Sequence, residues 1–414
     1  MARRTENRYR GTGLSRRYYE GRDVTRALEI ADLRAMARRR LPMFVREYVE
    51  GGADDERTLA RNLDAFRDHR WVHRAPVDVT GRTLATTILG IPSAMPFAIG
   101  PTGFNGMVWK QGDVALARAA KAHGIPFVNS LVSSGRLETI MEQAGGQVWF
   151  QVTILRDQQV VDAVVDRVDK AGCEVLFVTL DTPVLGARSW NDRSYIGHTK
   201  LSLRAKLDVL THLRWFLRVF APRGLPGFGN LEDFLPPDQR SPIDGARFIT
   251  EKSGNAALAW DDLEKLRARW PRKLVLKGLL AKEDVERAVA IGADGVVLSN
   301  HGGRQLDSEV APLDVLPEIA AAFGHRIAIL IDGGFRCGGD IAKALALGAH
   351  AVLIGRATLY GLAAGGQAGA DRAISILEAE LDRVLTLLGC RSLAELGPAF
   401  FHRKASERRS SQQE

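Results

Sequence analysis

The chain predicts an α/β fold, a closed (β/α)8 TIM barrel with an N-terminal helical extension and a long loop after strand 4. Three observations carry this expectation. Eight short runs are apolar without alternation, as parallel strands buried on both faces are. Helical patterns lie between them, several stopped by a glycine. Polar residues close the runs at the end where chemistry sits in such barrels: Gln151 and Thr153, Thr179 and Asp181, Lys277, His301, Asp332 and Arg356.

Residues 1–95 make the extension, with helical stretches over 32–40 and 43–51 that are expected to pack on the barrel. Runs 96–100, 126–129, 148–152 and 175–180 supply the first four strands, with helical patterns over 113–123 and 158–172. Residues 182–259 form the inserted loop, in which no strand pattern is visible. Runs 274–277, 295–298, 327–331 and 351–354 complete the barrel, with helical patterns over 282–292 and 340–348. The barrel therefore covers 96–389, and 390–414 form a C-terminal tail whose polar end, 403–414, reads as disordered.

A chain of 414 residues with 45% hydrophobic and 26% charged side chains buries a large core, which excludes disordered and collagen-like classes. Cys173, Cys337 and Cys390 are too scattered for a disulfide framework or a metal cluster, so no metal is expected and a reducing, cytoplasmic compartment is. The basic N-terminus lacks a following apolar run, and no apolar stretch is long enough to span a bilayer. The net charge of +8 favours an acidic partner, yet it is not clustered with stacking aromatics, which argues against nucleic acid and for anionic lipid or a carboxylate.

The densest chemistry lies at Ser299-Asn300-His301-Gly302-Gly303-Arg304-Gln305-Leu306-Asp307, directly after a buried strand. Glycines there let the backbone turn sharply and approach a flat ligand, while a base and an anion binder stand three residues apart. Further on, Asp332-Gly333-Gly334-Phe335-Arg336 and Gly355-Arg356 follow the seventh and eighth strands, where glycine-rich backbone and a helix N-terminus hold phosphate in barrels of this kind. Within the inserted loop, Leu207, Leu210, Leu217 and Phe220 keep near-helical spacing among Arg204, Lys206, Arg214 and Arg218. Segment 200–234 reads either as an interfacial membrane helix, peripheral on the inner face of the membrane, or as a lid or subunit contact.

The turn at 299–307 resembles the signature of the FMN-dependent L-2-hydroxy acid dehydrogenases and oxidases, the group of glycolate oxidase, lactate dehydrogenase and mandelate dehydrogenase. Tyr48-Val49-Glu50-Gly51-Gly52-Ala53, Phe150-Gln151, Thr179-Leu180-Asp181-Thr182-Pro183 and Val275-Leu276-Lys277-Gly278 support the likeness from about residue 41 to 389. Pro101-Thr102-Gly103-Phe104-Asn105-Gly106, Trp270-Pro271 and Ala357-Thr358-Leu359-Tyr360-Gly361-Leu362 look closest to the mandelate dehydrogenase branch.

The resemblance implies that FMN lies against Pro101, Thr102 and Gly103, with Ser130, Gln151 and Thr179 on its polar edge and Lys277 beside N1 and O2. Ser299 and Asp332 join that cofactor set, and the phosphate reaches Gly334, Arg336, Gly355 and Arg356. His301 then takes the hydroxyl proton as hydride leaves for flavin N5, Asp181 pairs with the resulting imidazolium, and Arg188, Arg304 and Tyr48 hold the substrate carboxylate. One residue departs from the family pattern: Thr153 stands where members read tyrosine, which implies an enlarged pocket, a substituting water or altered chemistry. Gly103, where oxygen-using members often carry alanine, and the basic amphipathic segment favour a quinone acceptor over oxygen. A soluble oxidase producing hydrogen peroxide, an FMN barrel with other chemistry and a silent flavin-binding protein are the rival readings. A homo-oligomer, a tetramer as in the family, is expected.

Overall fold

The computed structural model describes residues 17–402, apart from 198–199, 222–223, 225, 237, 239–241 and 253. The sequence segment 403–414 lies outside the described residues. The eight apolar runs become strands β1 (Phe97–Thr102), β2 (Phe127–Ser130), β3 (Val148–Thr153), β4 (Val175–Thr179), β5 (Lys273–Leu279), β6 (Gly295–Leu298), β7 (Ala328–Ile331) and β8 (Ala351–Ile354). Each pairs in parallel with its neighbours, and Val352 opposite Phe97 closes the last strand onto the first. Strand β4 pairs with β5 in unbroken register from Val175 opposite Lys273 to Thr179 opposite Lys277, although the inserted loop separates them. Loop-closure entropy grows only logarithmically with length, so such an insertion weighs little on the barrel.

The lumen is filled by Ala98, Val128, Trp149, Val175, Phe177, Val275, Val297, Leu330, Ala351 and Leu353, all buried, which makes it a packed core and not a pore. An antiparallel hairpin of Thr86–Ile88 and Ile91–Ser93 brings Ile88 into the same cluster. Its Leu89 lies against Gly295, the first residue of β6, so the hairpin stoppers the amino end of the barrel. The extension, expected to be helical, thus also contains strands. The reason is local: positive φ at Leu89 and Gly90 makes a tight turn that brings Ile88 and Ile91 opposite each other.

Helices α1 (Ile30–Arg40), α2 (Met43–Glu50) and α3 (Arg57–Asp64) of the extension lie on the barrel. Asp32 begins α1 by accepting the amides of Leu28 and Glu29. Gly51 ends α2, its amide donating to the Glu47 carbonyl, and this places Tyr48 at the carboxyl mouth. Phe401 of the C-terminal segment stacks on Trp71, and the Val72 amide donates to the Phe400 carbonyl, so the tail folds back on the extension as far as residue 402.

The inserted loop is more ordered than its sequence suggests. It holds a short hairpin of Tyr195–Ile196 and Lys200–Leu201, the helices α4 (Leu203–Thr211) and α5 (Pro242–Lys252), and a π-helical turn at Phe216–Phe220. The two-residue strands are too short to leave a pattern that sequence reading can detect. Segment 203–220 is pinned by Trp215, whose indole donates to the Met107 carbonyl at 2.7 Å and meets Phe44 edge-on. Its other face turns outward: Leu203, Leu207, Leu210, Leu213 and Leu217 are 55–72% exposed. No helix among the described residues is long and apolar enough to cross a membrane.

Candidate active site

At the carboxyl mouth a cavity of about 360 Å³ opens, within the range of small-molecule and cofactor sites. Seventeen of the nineteen residues singled out in the sequence line it; Ser299 and Asp181 stand behind its wall. Ser299 accepts from the Lys277 ammonium at 2.8 Å and from the His301 amide at 3.1 Å, so its hydroxyl supports two wall residues rather than facing a ligand.

His301 has φ +57°, a left-handed conformation that costs a residue with a side chain about 1–3 kcal/mol and persists where surroundings enforce it. Here the turn aims the imidazole into the cavity with Nδ1 3.1 Å from Asp181 Oδ1 and 3.2 Å from Oδ2. A proton on Nδ1 donated to that carboxylate leaves the Nε2 lone pair for a ligand. Burial pushes the His301 imidazole below its ordinary value more than Asp181 raises it, which favours a neutral base. Burial pushes Asp181 up, but His301 and Lys277 together hold it below the usual carboxylate range.

Lys277 is buried, with Nζ 3.0 Å from Asp332 Oδ2. Burial disfavours its ammonium, yet the Asp332 and Asp181 carboxylates more than compensate and keep it charged. Asp332 Oδ1 is buried without a partner, an acceptor left for a ligand donor. Ser130 donates to Gln151 Oε1 at 2.7 Å, and Gln151 Nε2 reaches Thr179 at 2.8 Å and Thr153 at 3.0 Å, which fixes the orientation of the amide. Thr153 therefore spends its hydroxyl on Gln151 and extends little into the cavity.

Arg188 and Arg304 face the same cavity. Burial, with repulsion from Arg188 and Arg356, pulls Arg304 well below its ordinary value. Burial also lowers Arg188 and brings Arg356 down to about 10. Desolvated guanidinium groups crowded in this way favour an incoming anion. Arg304 is braced by the carbonyls of Tyr48 and Gly51, both at 2.8 Å, and stacks over the Tyr48 ring. Arg356 donates to the carbonyls of Val49, Gly302 and Gly51, so much of its guanidinium is tied to backbone.

The residues fit FMN. Gly333 and Gly334 have φ +94° and +88°, and a Cβ on Gly334 would meet the Asn62 carbonyl at 2.0 Å, so only glycine is accommodated at this close approach. Beside them, Arg336 and the N-terminus of the helix at Arg356–Gly365 would hold its phosphate. Pro101, Thr102 and Gly103 make a backbone wall for a flat ring, and a Cβ on Gly103 would press on Val132 at 2.6 Å.

Sequence reasoning missed the outer wall. Leu155, Phe228, Ala246 and Ile249 line the cavity, the last two from α5, which lies across the mouth. Phe228 packs edge-on against Phe104 at 4.1 Å. Segment 200–234 thus divides: Trp215 holds 203–220 to one side, while Phe228 reaches the cavity wall beside Ala246 and Ile249 of α5. Asn62 was also missed, since a lone asparagine in a helix carries no signal.

A parallel eight-stranded barrel with paired positive-φ glycines, a buried lysine and a histidine–carboxylate pair at one mouth suits a flavin oxidoreductase. The chain belongs to the FMN-dependent dehydrogenase family, whose profile matches residues 37–403, and its cofactor is FMN. It is 42% identical over 375 residues to (S)-mandelate dehydrogenase of Pseudomonas putida, covering 90% of this chain and 93% of that one. It is 39% identical to L-lactate dehydrogenase of Xanthomonas euvesicatoria pv. vesicatoria, covering 91% and 97%. The crystal structure of the monotopic membrane protein (S)-mandelate dehydrogenase superposes with a TM-score of 0.87 at 41% identity, covering 92% of this chain and all of that one.

Proposed function

We propose that the chain oxidises an L-2-hydroxy acid with a bulky apolar side chain to the 2-oxo acid and passes the electrons to a membrane quinone. The observation that carries the reaction is the Asp181–His301 pair opening into the same cavity as Arg188 and Arg304. Bound FMN supplies the hydride acceptor. The two guanidinium groups take the carboxylate with forked donors, and Tyr48 adds a hydroxyl. His301 Nε2 removes the hydroxyl proton as the C2 hydrogen departs with its electron pair and the carbonyl forms, while Asp181 steadies the imidazolium. Lys277 places a fixed positive charge at the cofactor site, preorganised for charge that develops there.

Thr153 and the wall of Leu155, Phe228, Ala246 and Ile249 support the bulky side chain. Anaerobic mixing of the yellow protein with L-mandelate and with L-lactate is expected to bleach the flavin faster with the aryl acid; absence of bleaching by every 2-hydroxy acid tried would sink the reading. Thr153→Tyr is expected to lower kcat/KM for mandelate by about 10-fold or more relative to lactate, because the ring fills apolar space. An equal effect on both acids would remove Thr153 from specificity.

The quinone reading rests on the outward leucines of 203–217 and on the basic groups nearby, where burial and repulsion from Arg218, Arg214 and Arg22 lower Arg40. Such a surface suits an anionic bilayer. Changing Leu207 and Leu210 together to glutamate removes about 3 kcal/mol of membrane burial. Sedimentation with anionic vesicles should therefore weaken about 100-fold, with flavin reduction by the acid unchanged. Retained binding would place the contact elsewhere, and fast reoxidation by oxygen without vesicles would favour a soluble oxidase.

A further inference from the structure

We propose that Asn62 is a positioning residue that links the turn carrying His301 to the glycine pair cradling the cofactor phosphate, so that one side chain sets both base alignment and cofactor grip. The inference rests on the function proposed above. Asn62 and Asn300 are each 1% exposed and exchange two hydrogen bonds: Asn62 Nδ2 donates to Asn300 Oδ1 and Asn300 Nδ2 to Asn62 Oδ1, both at 2.8 Å.

Asn300 immediately precedes His301 and carries its turn. Its Oδ1 also accepts from the Gly303 amide at 3.2 Å, and its Nδ2 donates to the Val310 carbonyl at 3.0 Å. The two amides therefore close a buried network with every polar atom engaged, and such a network specifies one geometry where an apolar contact would leave several. The conformation it specifies is strained, since His301 has φ +57° with Gly302 and Gly303 at +66° and +74°.

The other side of Asn62 meets the phosphate loop. A Cβ on Gly334 would come 2.0 Å from the Asn62 carbonyl oxygen, and one on Gly333 would come 3.5 Å from Asn62 Nδ2. Asn62 is thus wedged between the loops after β6 and β7. It is held there by α3, whose Thr58 one turn earlier accepts from the Glu309 amide and donates to the Leu306 carbonyl. Thr58 and Asn62 are i,i+4 neighbours and make a buried polar face on α3 directed at the catalytic loop. No ligand contact is needed for this role; Asn62 acts through Asn300 and Gly334.

The test uses the full chain with FMN and two variants, Asn62→Ala and the near-isosteric Asn62→Asp, with rates normalised to bound flavin. Both are expected to raise the dissociation constant for FMN at least 5-fold, measured by flavin fluorescence on the apoprotein. They should also lower kcat at least 10-fold with KM within 3-fold, and shift the apparent pKa of the kcat profile. Asn62→Ala combined with Asn300→Ala should be no worse than the poorer single variant, because the pair acts as a unit. If the variants lose only thermal stability, while FMN affinity, kcat per flavin and the pH profile match the parent, Asn62 is merely structural and the proposal fails. If Asn62→Ala does not fold, parental values in Asn62→Asp overturn it equally. Failure of the parent itself to be bleached by hydroxy acids would instead strike the proposed function, and the FMN affinities would still decide the role of Asn62.

Discussion

His301→Asn is expected to lower kcat by about 10³-fold, the range set by loss of a positioned general base, while FMN stays bound and KM changes only a few-fold. Asparagine is the informative replacement because it tolerates the left-handed backbone that His301 adopts, so loss of the base is separated from strain in the turn. The pH profile gives a second readout. Burial holds the imidazole below its ordinary value of 6.5, so the neutral base persists as pH falls through that value and is lost only beneath it. kcat/KM should therefore climb with pH through a pKa under 6.5 and then level off, and the variant should lack that limb. Asp181→Asn removes the carboxylate that raises His301 and should move the limb to still lower pH. A parental limb in the His301 variant would show that another group takes the proton.

Lys277→Met is expected to damage both stability and chemistry. The lysine is 4% exposed, and its ammonium offsets Asp332 and Asp181. Methionine, similar in length, leaves those carboxylates without their buried cation, a change that costs about 3–5 kcal/mol when one partner of a buried pair is removed. Chemical denaturation of the apoprotein should register that loss. Flavin reduction in the variant should slow by about 100-fold or more, as removal of a preorganised charge at a reacting centre does. Stopped-flow reduction at the parental rate would mean that the ammonium serves folding alone.

The barrel was legible because its strands are continuous apolar runs, and each of the eight falls within two residues of its position in the structure. The site was legible where chemistry is written locally: His301 and Arg304 share one turn, and Gly333, Gly334 and Arg336 share another. What escaped depends on distant packing. Ala246 and Ile249 gain meaning only when α5 is laid across the mouth. Asn62 reads as a polar helix residue until Asn300 is brought to it across 238 positions. In 203–220 the leucine spacing marks one face as an interfacial helix, a lid or a subunit contact, and the structure buries Ala205, Trp215 and Val219 and turns the leucines out. Periodicity identifies a face but not what lies opposite it.

The hairpin bearing Ile88 has a kinetic consequence. With the barrel axis blocked at its base and filled by Trp149 and Phe177, no route runs through the lumen, and ligands reach the site from the carboxyl mouth. Under the function proposed above, acid and electron acceptor share that entrance, so the two half-reactions would alternate in time and the enzyme would work as a shuttle between a charged and a discharged state.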